Sequence, residues 1–381
     1  GSTSDRAAIE VHDIGLEPVY NAAGALGFRV LVGGGLGRTP VVGAFINEFL
    51  PWQDLLSYLD AILRVYNRYG RRDNKYKARI KILVKALTPE VFAEKVEAEM
   101  AHLRGGQTTL TDAEVHRVAK HFVDPDYKTL SNQDAELAAL DQQHPGFARW
   151  RTRNTLAHKK PGYVAVTLSL KPTGVAPGDV TDKQFDAIAD LADRYSFGQL
   201  RTSHEQNIIL ADVEQSQLFT LWGELRENGF ATPNIGLLTD IICCPGGDFC
   251  SLANAKSIPI AESIQRRFDD LDYLFDIGEL DLNISGCMNA CGHHHVGHIG
   301  ILGVDKKGEE FYQVSLGGSA SRDASLGKIL GPSFAQDDMP DVISKLIDVY
   351  VEQRTEDERF IDTYQRIGID LFKERVYAAN H

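Results

Sequence analysis

The sequence predicts an α+β protein with more than one domain. Its 381 residues are enough for about two or three domains. A content of 43% hydrophobic and 24% charged residues is ordinary for a chain with a packed core. Between residues 163 and 228, the pattern gives a strand, a helix, two strands and a second helix, the order of a ferredoxin-like unit. A helical pattern then closes the chain from Asp338 to Leu371, and these helices are expected to pack on the outside.

The elements of the ferredoxin-like unit follow from hydrophobic periodicity. Residues 163–170 alternate as a strand, and residues 182–195 form an amphipathic helix. Its predicted core-facing side chains are Phe185, Ile188, Leu191 and Ala192. Strands at 199–202 and 207–210 precede a helix at 215–228. The link between the two strands is polar where a buried hairpin would be apolar, so it marks a candidate ligand surface.

Flanking segments complete the expected architecture. A buried strand at 28–32 runs into a glycine-rich loop at 33–40, and a helix is predicted at 52–69. Loops of this kind bring backbone amides close to anionic ligands, although a plain tight turn explains the glycines equally simply. A polar helical pattern from 88 to 141 is read as a connector. The predicted elements after residue 230 are a helix at 251–268 and strands at 282–285, 299–304 and 312–316.

Composition excludes several functional classes. The formal charge of −13 argues against a general nucleic-acid-binding face. The sequence has no run of eighteen apolar residues, so no membrane span is expected. Unpaired thiols without an export signal suggest the cytoplasm. The spacing after Gly33 does not match the dinucleotide-binding fingerprint, so direct use of NADPH is not expected.

All five cysteines lie in two short segments. Cys244 and Cys250 are spaced C-x5-C, Cys287 and Cys291 are spaced C-x3-C, and Cys243 is left over. Disulfides do not suit this composition, and a five-residue spacing is wide for a zinc knuckle. Four thiolates with intervening glycines are typical of an iron–sulfur cluster, which is favoured over zinc. The four histidines at 293–295 and 298 are better explained by packing or by supporting contacts than by metal ligation.

A basic segment stands out in this acidic chain. Residues 70–81 hold six cations, among them Arg79 and Lys81. A solvated helix face and an anion pocket are equally good explanations from the residues alone. If the segment is extended, Arg79 and Lys81 share one face.

Several motifs, in order, resemble those of the siroheme-dependent sulfite and nitrite reductases, in particular the bacterial assimilatory sulfite reductase haemoprotein (beta-component type). The closest resemblance is the cysteine signature, including the Gly286-Cys287-Met288-Asn289-Ala290-Cys291-Gly292 stretch. The glycine-rich loop at 32–37, the Arg79/Lys81 pair, the 201–207 segment and the Leu316-Gly317-Gly318 stretch follow the same order.

The resemblance implies a redox chemistry. A [4Fe–4S] cluster would be held by Cys244, Cys250, Cys287 and Cys291, with Cys291 bridging to the siroheme iron. Arg79 and Lys81 would be catalytic, binding the anion and helping to deliver protons. The implied siroheme contacts are Gly33, Gly34, Gly35, Arg38, Arg201, Gln206, Asn207, Asn289, Gly317 and Gly318. Sulfite would be reduced by six electrons to sulfide. Nitrite reduction to ammonia is the alternative, and an iron–sulfur or zinc scaffold without siroheme is the second.

The resemblance also implies a domain plan. Residues 1–88 would end a first siroheme-binding α/β domain, and 89–145 would be a helical connector. The ferredoxin-like half-domain, termed the parachute unit in this family, would occupy 146–230. Residues 231–340 would bind the cluster and siroheme, and 341–381 would form C-terminal helices. The first half of the family pattern is represented only by its tail, so an N-terminally incomplete version is expected. The electron donor would be a ferredoxin or a flavoprotein subunit.

Overall fold

The computed structural model describes residues 5–322 and 324–378. The chain divides into two compact units, each discontinuous in sequence. The first consists of Gly1–Asp124 and Ser319–Leu326, and the second of Pro125–Gly318 and Gly327–His381. The predicted limits of the five domains stay predictions. No helix among the described residues is both long and apolar enough to cross a membrane.

The first unit is a three-stranded antiparallel sheet covered by helices. Strand order is β1-β2-β3, and the predicted strand at 28–32 is confirmed within β2. The bounds are β1 (Ile14–Tyr20), β2 (Leu26–Val32), β3 (Ala44–Pro51), α1 (Leu55–Tyr69), α2 (Ile80–Leu87), α3 (Pro89–Met100) and α4 (Asp112–Ala119). Helix α3 begins with proline, which suits the first helical turn because its nitrogen needs no partner there.

Helical periodicity explains the core of this unit. Tyr58, Ala61, Ile62 and Val65 recur on one face of α1 and are buried. They belong to one apolar cluster with side chains from β2 and α3. The returning segment Ser319–Leu326 belongs to this unit, where the guanidinium of Arg322 lies 3.2 Å from the carboxylate of Glu17.

The second unit begins with the ferredoxin-like half-domain. Its sheet has the order β4-β5-β7-β6 and is antiparallel throughout. The bounds are α5 (Asp134–Gln143), α6 (Pro145–Asn154), β4 (Thr155–Ala157), β5 (Tyr163–Leu168), α7 (Asp182–Tyr195), β6 (Leu200–Thr202), β7 (Ile208–Glu214) and α8 (Leu218–Glu227). The strand–helix–strand–strand–helix order is therefore confirmed. The short edge strand β4 was not foreseen.

Helix α7 matches its predicted bounds and buries the expected stripe, with one exception. Ile188, Leu191 and Ala192 are buried, and a capping box at Thr181 and Gln184 starts the helix. Phe185 is 53% exposed, so the prediction that it faces the core is wrong. The buried stripe begins one turn later than periodicity alone indicated.

The rest of the second unit is a five-stranded mixed sheet with helices. The order is β12-β11-β10-β9-β8, in which β8, β9 and β10 are parallel and the other pairs antiparallel. The bounds are β8 (Ile242–Cys243), α9 (Gly246–Phe249), α10 (Ile258–Arg267), α11 (Leu271–Ile277), β9 (Leu282–Ser285), β10 (Ile299–Lys306), β11 (Glu309–Leu316), β12 (Lys328–Ile329), α12 (Met339–Gln353), α13 (Phe360–Ile367) and α14 (Asp370–Tyr377).

Two predictions for this region need adjustment. The helix expected at 251–268 begins only at Ile258, with Pro259 in its first turn. The C-terminal helices are confirmed, but α12 is part of the core. Its Met339, Ile343 and Leu346 are fully buried in one cluster with residues of β10 and β11. The fold class is α+β, as predicted.

Candidate iron–sulfur and anion-binding sites

The two cysteine segments leave the same edge of the mixed sheet. Strands β8 and β9 are parallel neighbours, with Cys243 paired to Ile284. The amide of Cys244 then donates to the carbonyl oxygen of Ile284 at 3.1 Å. Because Cys244 follows β8 and Cys287 follows β9, both lie beyond the carboxyl ends of adjacent parallel strands, where ligand sites form in α/β sheets.

Glycines allow the two segments to approach closely. The amide of Gly286 donates to the Sγ atom of Cys244 at 3.1 Å. A Cβ atom at Gly286 would lie 2.6 Å from the carbonyl oxygen of Ala255, which is backbone and has little room to move. Gly246 has φ of +58°, and a Cβ at Gly292 would lie 2.0 Å from the Ile284 oxygen. These positions require glycine for steric reasons.

Cys244, Cys250, Cys287 and Cys291 suit an iron–sulfur cluster by their chemistry and their proximity. All five cysteines are free thiols. Burial, with the charges of Cys244, Cys287 and Cys250, raises the pKa of Cys291, which places these three sulfurs near it. Within residues 5–322 and 324–378, no group of three or more His, Cys, Asp or Glu side chains is placed so that it could hold a single metal ion. The ligands of a cubane bind different irons, so the thiol set with its Gly286 donor fits a [4Fe–4S] cluster.

Cys243 is set apart from the other four cysteines. Its side chain is 4% exposed and belongs to the apolar core of the mixed sheet. Its thiol donates to the carbonyl oxygen of Cys244 at 3.2 Å. Burial raises the pKa of Cys243, so its thiol stays protonated. Successive residues of a strand face opposite sides, which places Cys243 inward and leaves Cys244 at the sheet edge.

The polar hairpin between β6 and β7 contacts the strand that leads to Cys244. The Gln206 carboxamide accepts from the amide of Cys243 at 2.7 Å and donates to its carbonyl oxygen at 2.8 Å. Asn207 is buried, donates to Asp240 at 3.0 Å and accepts from the amide of Leu170 at 3.1 Å. Both predicted siroheme contacts therefore use their side chains within the fold. Arg201 is exposed on the edge strand β6.

A buried ion pair beside this hairpin was not foreseen from the sequence. The ammonium of Lys171 lies 2.6 Å from the carboxylate of Asp240, and both side chains are almost fully buried. Lys171 also donates to the carbonyl oxygen of Glu205. Burial and the charge of Asp240 raise the pKa of Glu205. The sequence offered one signal for this buried pair. Lys171 lies just after an apolar strand, whereas lysine side chains are ordinarily exposed.

The histidines after Cys291 have structural surroundings. His294 is 2% exposed, and neither ring nitrogen has a hydrogen-bond partner among the described residues. Burial, with the charges of His295 and His293, lowers its pKa to about 3. The Nδ1 atom of His298 accepts from the amide of Asp281 at 3.1 Å. The prediction that packing dominates for these residues agrees with this burial.

Gly317 and Gly318, which were predicted to contact siroheme, lie against the loop that carries His293, His294, His295 and His298. The amide of Gly317 donates to the carbonyl oxygen of His298 at 3.0 Å, and its φ is +85°. A Cβ at Gly318 would lie 2.6 Å from the carbonyl oxygen of His295. Asn289, between Cys287 and Cys291, is exposed.

In the first unit, Arg79 and Lys81 meet at the glycine-rich loop. Arg79 is paired with Asp13 at 2.7 Å. The ammonium of Lys81 donates to the carbonyl oxygens of Leu36 and Thr39, each at 2.8 Å. The segment is not extended, because Arg79 directly precedes α2 and Lys81 is its second residue. The two cations are therefore brought together by their contacts with the glycine-rich loop, and not by lying on one face of an extended strand. Burial and the charge of Arg79 lower the pKa of Lys81.

The loop itself is held by backbone contacts. The amides of Gly33 and Gly35 donate to the carbonyl oxygens of Asp13 at 3.0 Å and Val41 at 2.9 Å. A Cβ at Gly34 would lie 2.3 Å from the carbonyl oxygen of Glu10. The amides of Gly33 and Gly35 are therefore engaged in the fold, whereas Arg38 is exposed. The predicted roles of this loop in siroheme binding stay predictions.

Comparison with known families identifies the chain. Residues 1–103 and 237–380 match the nitrite and sulphite reductase 4Fe-4S domain, and residues 157–228 match the nitrite/sulfite reductase ferredoxin-like half domain. The chain therefore belongs to the nitrite and sulfite reductase family. Members of this family are oxidoreductases that carry siroheme and a [4Fe–4S] cluster, which confirms the resemblance seen in the motifs.

Individual relatives share this architecture at modest identity. A sulfite reductase [ferredoxin] 2 of Mycolicibacterium paratuberculosis is 26% identical over 375 residues, covering 95% of this chain and 60% of that protein. A ferredoxin–nitrite reductase of Synechococcus elongatus is 29% identical, covering 89% of this chain and 59% of that protein. The structure of Mycobacterium tuberculosis NirA aligns with a TM-score of 0.71 at 24% identity, covering 96% and 62% of the two chains. The chain spans about three fifths of its curated relatives' length.

Proposed function

We propose that this chain carries the catalytic centre of an assimilatory sulfite reductase, which reduces sulfite to sulfide with six electrons. The observation that carries the proposal is the pair of cysteine segments at the carboxyl ends of β8 and β9, in a chain of the nitrite and sulfite reductase family. Siroheme coupled to a [4Fe–4S] cluster would supply the electron storage and the site of reduction.

The cysteine segments provide the ligands in this proposal. Cys244, Cys250, Cys287 and Cys291 bind the four irons as thiolates, and the amide of Gly286 stabilises the charge on Cys244. Cys291 is exposed, so its sulfur is accessible to a second cofactor, and we assign it the link to the siroheme iron. Cys243 takes no part because its thiol is buried in the core.

Arg79 and Lys81 are assigned to the anion. Both cations are fixed at the glycine-rich loop, and part of the Arg79 side chain remains exposed. An ammonium has three donor hydrogens, and two of those of Lys81 are used at short distance by Leu36 and Thr39. The third is directed at the carbonyl oxygen of Gly35 over a long 3.5 Å, a contact that an anionic oxygen can replace. A lysine with a lowered pKa also transfers its proton more readily, as loss of substrate oxygen as water demands.

Nitrite is the second candidate substrate. Relatives named for sulfite and for nitrite reduction match this chain at similar identity, 26% and 29%. The names of both relatives include ferredoxin, so we propose a ferredoxin as the electron donor, with a flavoprotein subunit as the alternative. Five free thiols suit a reducing compartment, and we propose the cytoplasm.

The first test is the cofactor content of anaerobically purified protein from siroheme-producing cells. We expect about four cluster irons and four sulfides per chain, together with one siroheme iron and its absorption bands. Cys250→Ser should lose iron, whereas Cys243→Ser should keep it, because only the former removes a cluster ligand. Equal iron in the two variants would contradict the ligand assignment. Bound zinc without sulfide would favour the scaffold alternative.

A second test addresses the anion site. Lys81→Met and Arg79→Gln should lower sulfite turnover while iron and siroheme content stay at the wild-type level. Arg68→Gln, in the neighbouring helix α1, is the matched control, because its exposed side chain pairs with Glu99 at 3.3 Å. Unchanged sulfite kinetics in both variants would remove Arg79 and Lys81 from the mechanism. Parallel assays with nitrite decide between the two substrates.

A further inference from the structure

A buried serine lies against the first cysteine segment. Ser257 is fully buried, and its Oγ atom is 3.5 Å from the Sγ atom of Cys244. This is a hydrogen-bonding distance for sulfur, whose larger radius lengthens the contact. Within 5–322 and 324–378, the Cys244 sulfur is the one hydrogen-bond partner of this hydroxyl.

Ser257 occupies a helix-capping position, but its hydroxyl does not cap the helix. Ser257 is the N-cap residue of α10, where serine side chains ordinarily accept from the amide of the second or third helical residue. No such cap bond forms here. The hydroxyl is therefore turned away from the helix amides and towards the thiol.

Two glycines create the space for this contact. A Cβ atom at Gly246 would lie 2.6 Å from the Oγ atom of Ser257, and one at Gly286 would lie 3.0 Å from it. Any other residue at either position would crowd the hydroxyl. The amide of Gly286 also points at the same sulfur, at 3.1 Å. Two donors from different segments thus converge on Cys244.

We propose that Ser257 is a hydrogen-bond donor to the Cys244 thiolate and raises the reduction potential of the [4Fe–4S] cluster. A thiolate has no proton to give, so the hydroxyl must be the donor. A reduced cluster carries one more negative charge, and a donor at a ligand sulfur stabilises that state more than the oxidised one. This inference rests on the proposed function, since it requires the cluster at these cysteines.

The test is the midpoint potential of the cluster in the full-length chain, followed by EPR during a redox titration. Ser257→Ala should shift the potential to a more negative value at unchanged iron content. Ser263→Ala is the control, because this serine lies in the same helix and its hydroxyl donates to the carbonyl oxygen of Ile260 at 2.8 Å. Its potential should equal that of the wild type. A wild-type potential in Ser257→Ala, or a shift to a more positive value, would overturn the proposal.

A measurement on the wild type covers the case in which Ser257→Ala loses its cluster. After brief transfer into deuterated buffer, a hydroxyl exchanges before a hydrogen-bonded amide. Pulsed EPR should then detect one fast-exchanging deuteron coupled to the reduced cluster, and its absence would reject the Ser257 contact. Wild-type protein without iron and sulfide would instead reject the proposed function.

Discussion

The side chain of Gln206 pairs with the backbone of Cys243 as a neighbouring strand would. It accepts from the amide at 2.7 Å and donates to the carbonyl oxygen at 2.8 Å. Strand β8 is the last strand of its sheet, so one of its edges has no strand partner. The carboxamide of Gln206 satisfies that edge directly before Cys244, the first of the proposed cluster ligands, and the hairpin of the half-domain thereby helps to fix this cysteine.

We expect Gln206→Leu to destabilise the fold and weaken cluster retention. The substitution leaves two backbone groups of Cys243 without partners, at a cost of about 1–3 kcal/mol for each group that stays buried. Urea unfolding measures the stability, and the rate of iron release to a chelator measures retention. Gln184→Leu is the control, since it removes capping-box contacts of α7. It should lower stability at an unchanged iron-release rate. Equal release rates in the two variants would show that the Gln206 contact does not support the site.

The buried pair of Lys171 and Asp240 provides a larger stability effect. We expect Lys171→Met to cost about 3–5 kcal/mol, because it leaves the Asp240 carboxylate buried without its cation. Addition of Asp240→Asn should recover part of this loss. Arg266→Ala removes an exposed pair with Glu262 and should cost about 0.3–0.5 kcal/mol. Denaturant unfolding distinguishes the two, and a small effect for Lys171→Met would mean that water reaches the pair.

The glycine after Cys291 should tolerate no side chain. A Cβ at Gly292 would lie 2.0 Å from the carbonyl oxygen of Ile284, a backbone atom that cannot rotate away. We expect Gly292→Ala to cost about 3 kcal/mol and to lower the iron content. Gly223→Ala, within α8, should instead stabilise by about 0.5–1 kcal/mol, because nothing lies within 4 Å of its added Cβ. Thermal unfolding and iron analysis test both, and a neutral Gly292→Ala would show that β9 can shift.

His294 should give the stability a pH dependence. The folded protein holds His294 neutral with a pKa of about 3, whereas the unfolded chain binds a proton below pH 6.5. Stability therefore falls as the pH falls from 6.5 towards 3, by at most about 1.4 kcal/mol per pH unit from this group. Unfolding of His294→Phe between pH 7 and 5 should lack this contribution.

A control histidine separates this effect from general charge repulsion. His116 is exposed on α4, so His116→Gln should follow the wild-type pH dependence. If wild type and His294→Phe lose stability in parallel between pH 7 and 5, His294 is not held neutral by the fold.

Local hydrophobic patterns predicted the helices and strands whose structure depends mainly on their own residues. Helix α7 was found because its buried residues recur with the helical period, and strand β5 was found as a short apolar run, five of whose six residues are buried. Residue type and spacing also singled out Cys244, Cys250, Cys287 and Cys291 and the Arg79/Lys81 pair as candidates, and their roles stay predictions. The resemblance to a reductase family added the expected cofactors, and the family comparison confirms them.

Contacts between distant segments could not be predicted in the same way. Strand β8 has only two residues, too few for a periodic signal, and its pairing with β9 depends on the folded sheet. The contacts of Gln206 with Cys243 and of Ser257 with Cys244 arise from that pairing. The siroheme roles predicted for Gln206 and Asn207 came from resemblance alone, and neither carboxamide is free of protein contacts.

The discontinuity of the first compact unit affects how the protein is made. Its last segment, Ser319–Leu326, is synthesised about 200 residues after Asp124. At translation rates of about 5–20 residues per second, this delay is roughly 10–40 s. During that time, the nascent first unit lacks the partner of Glu17 that Arg322 supplies. The first unit therefore completes its structure only after residues 319–326 have left the ribosome.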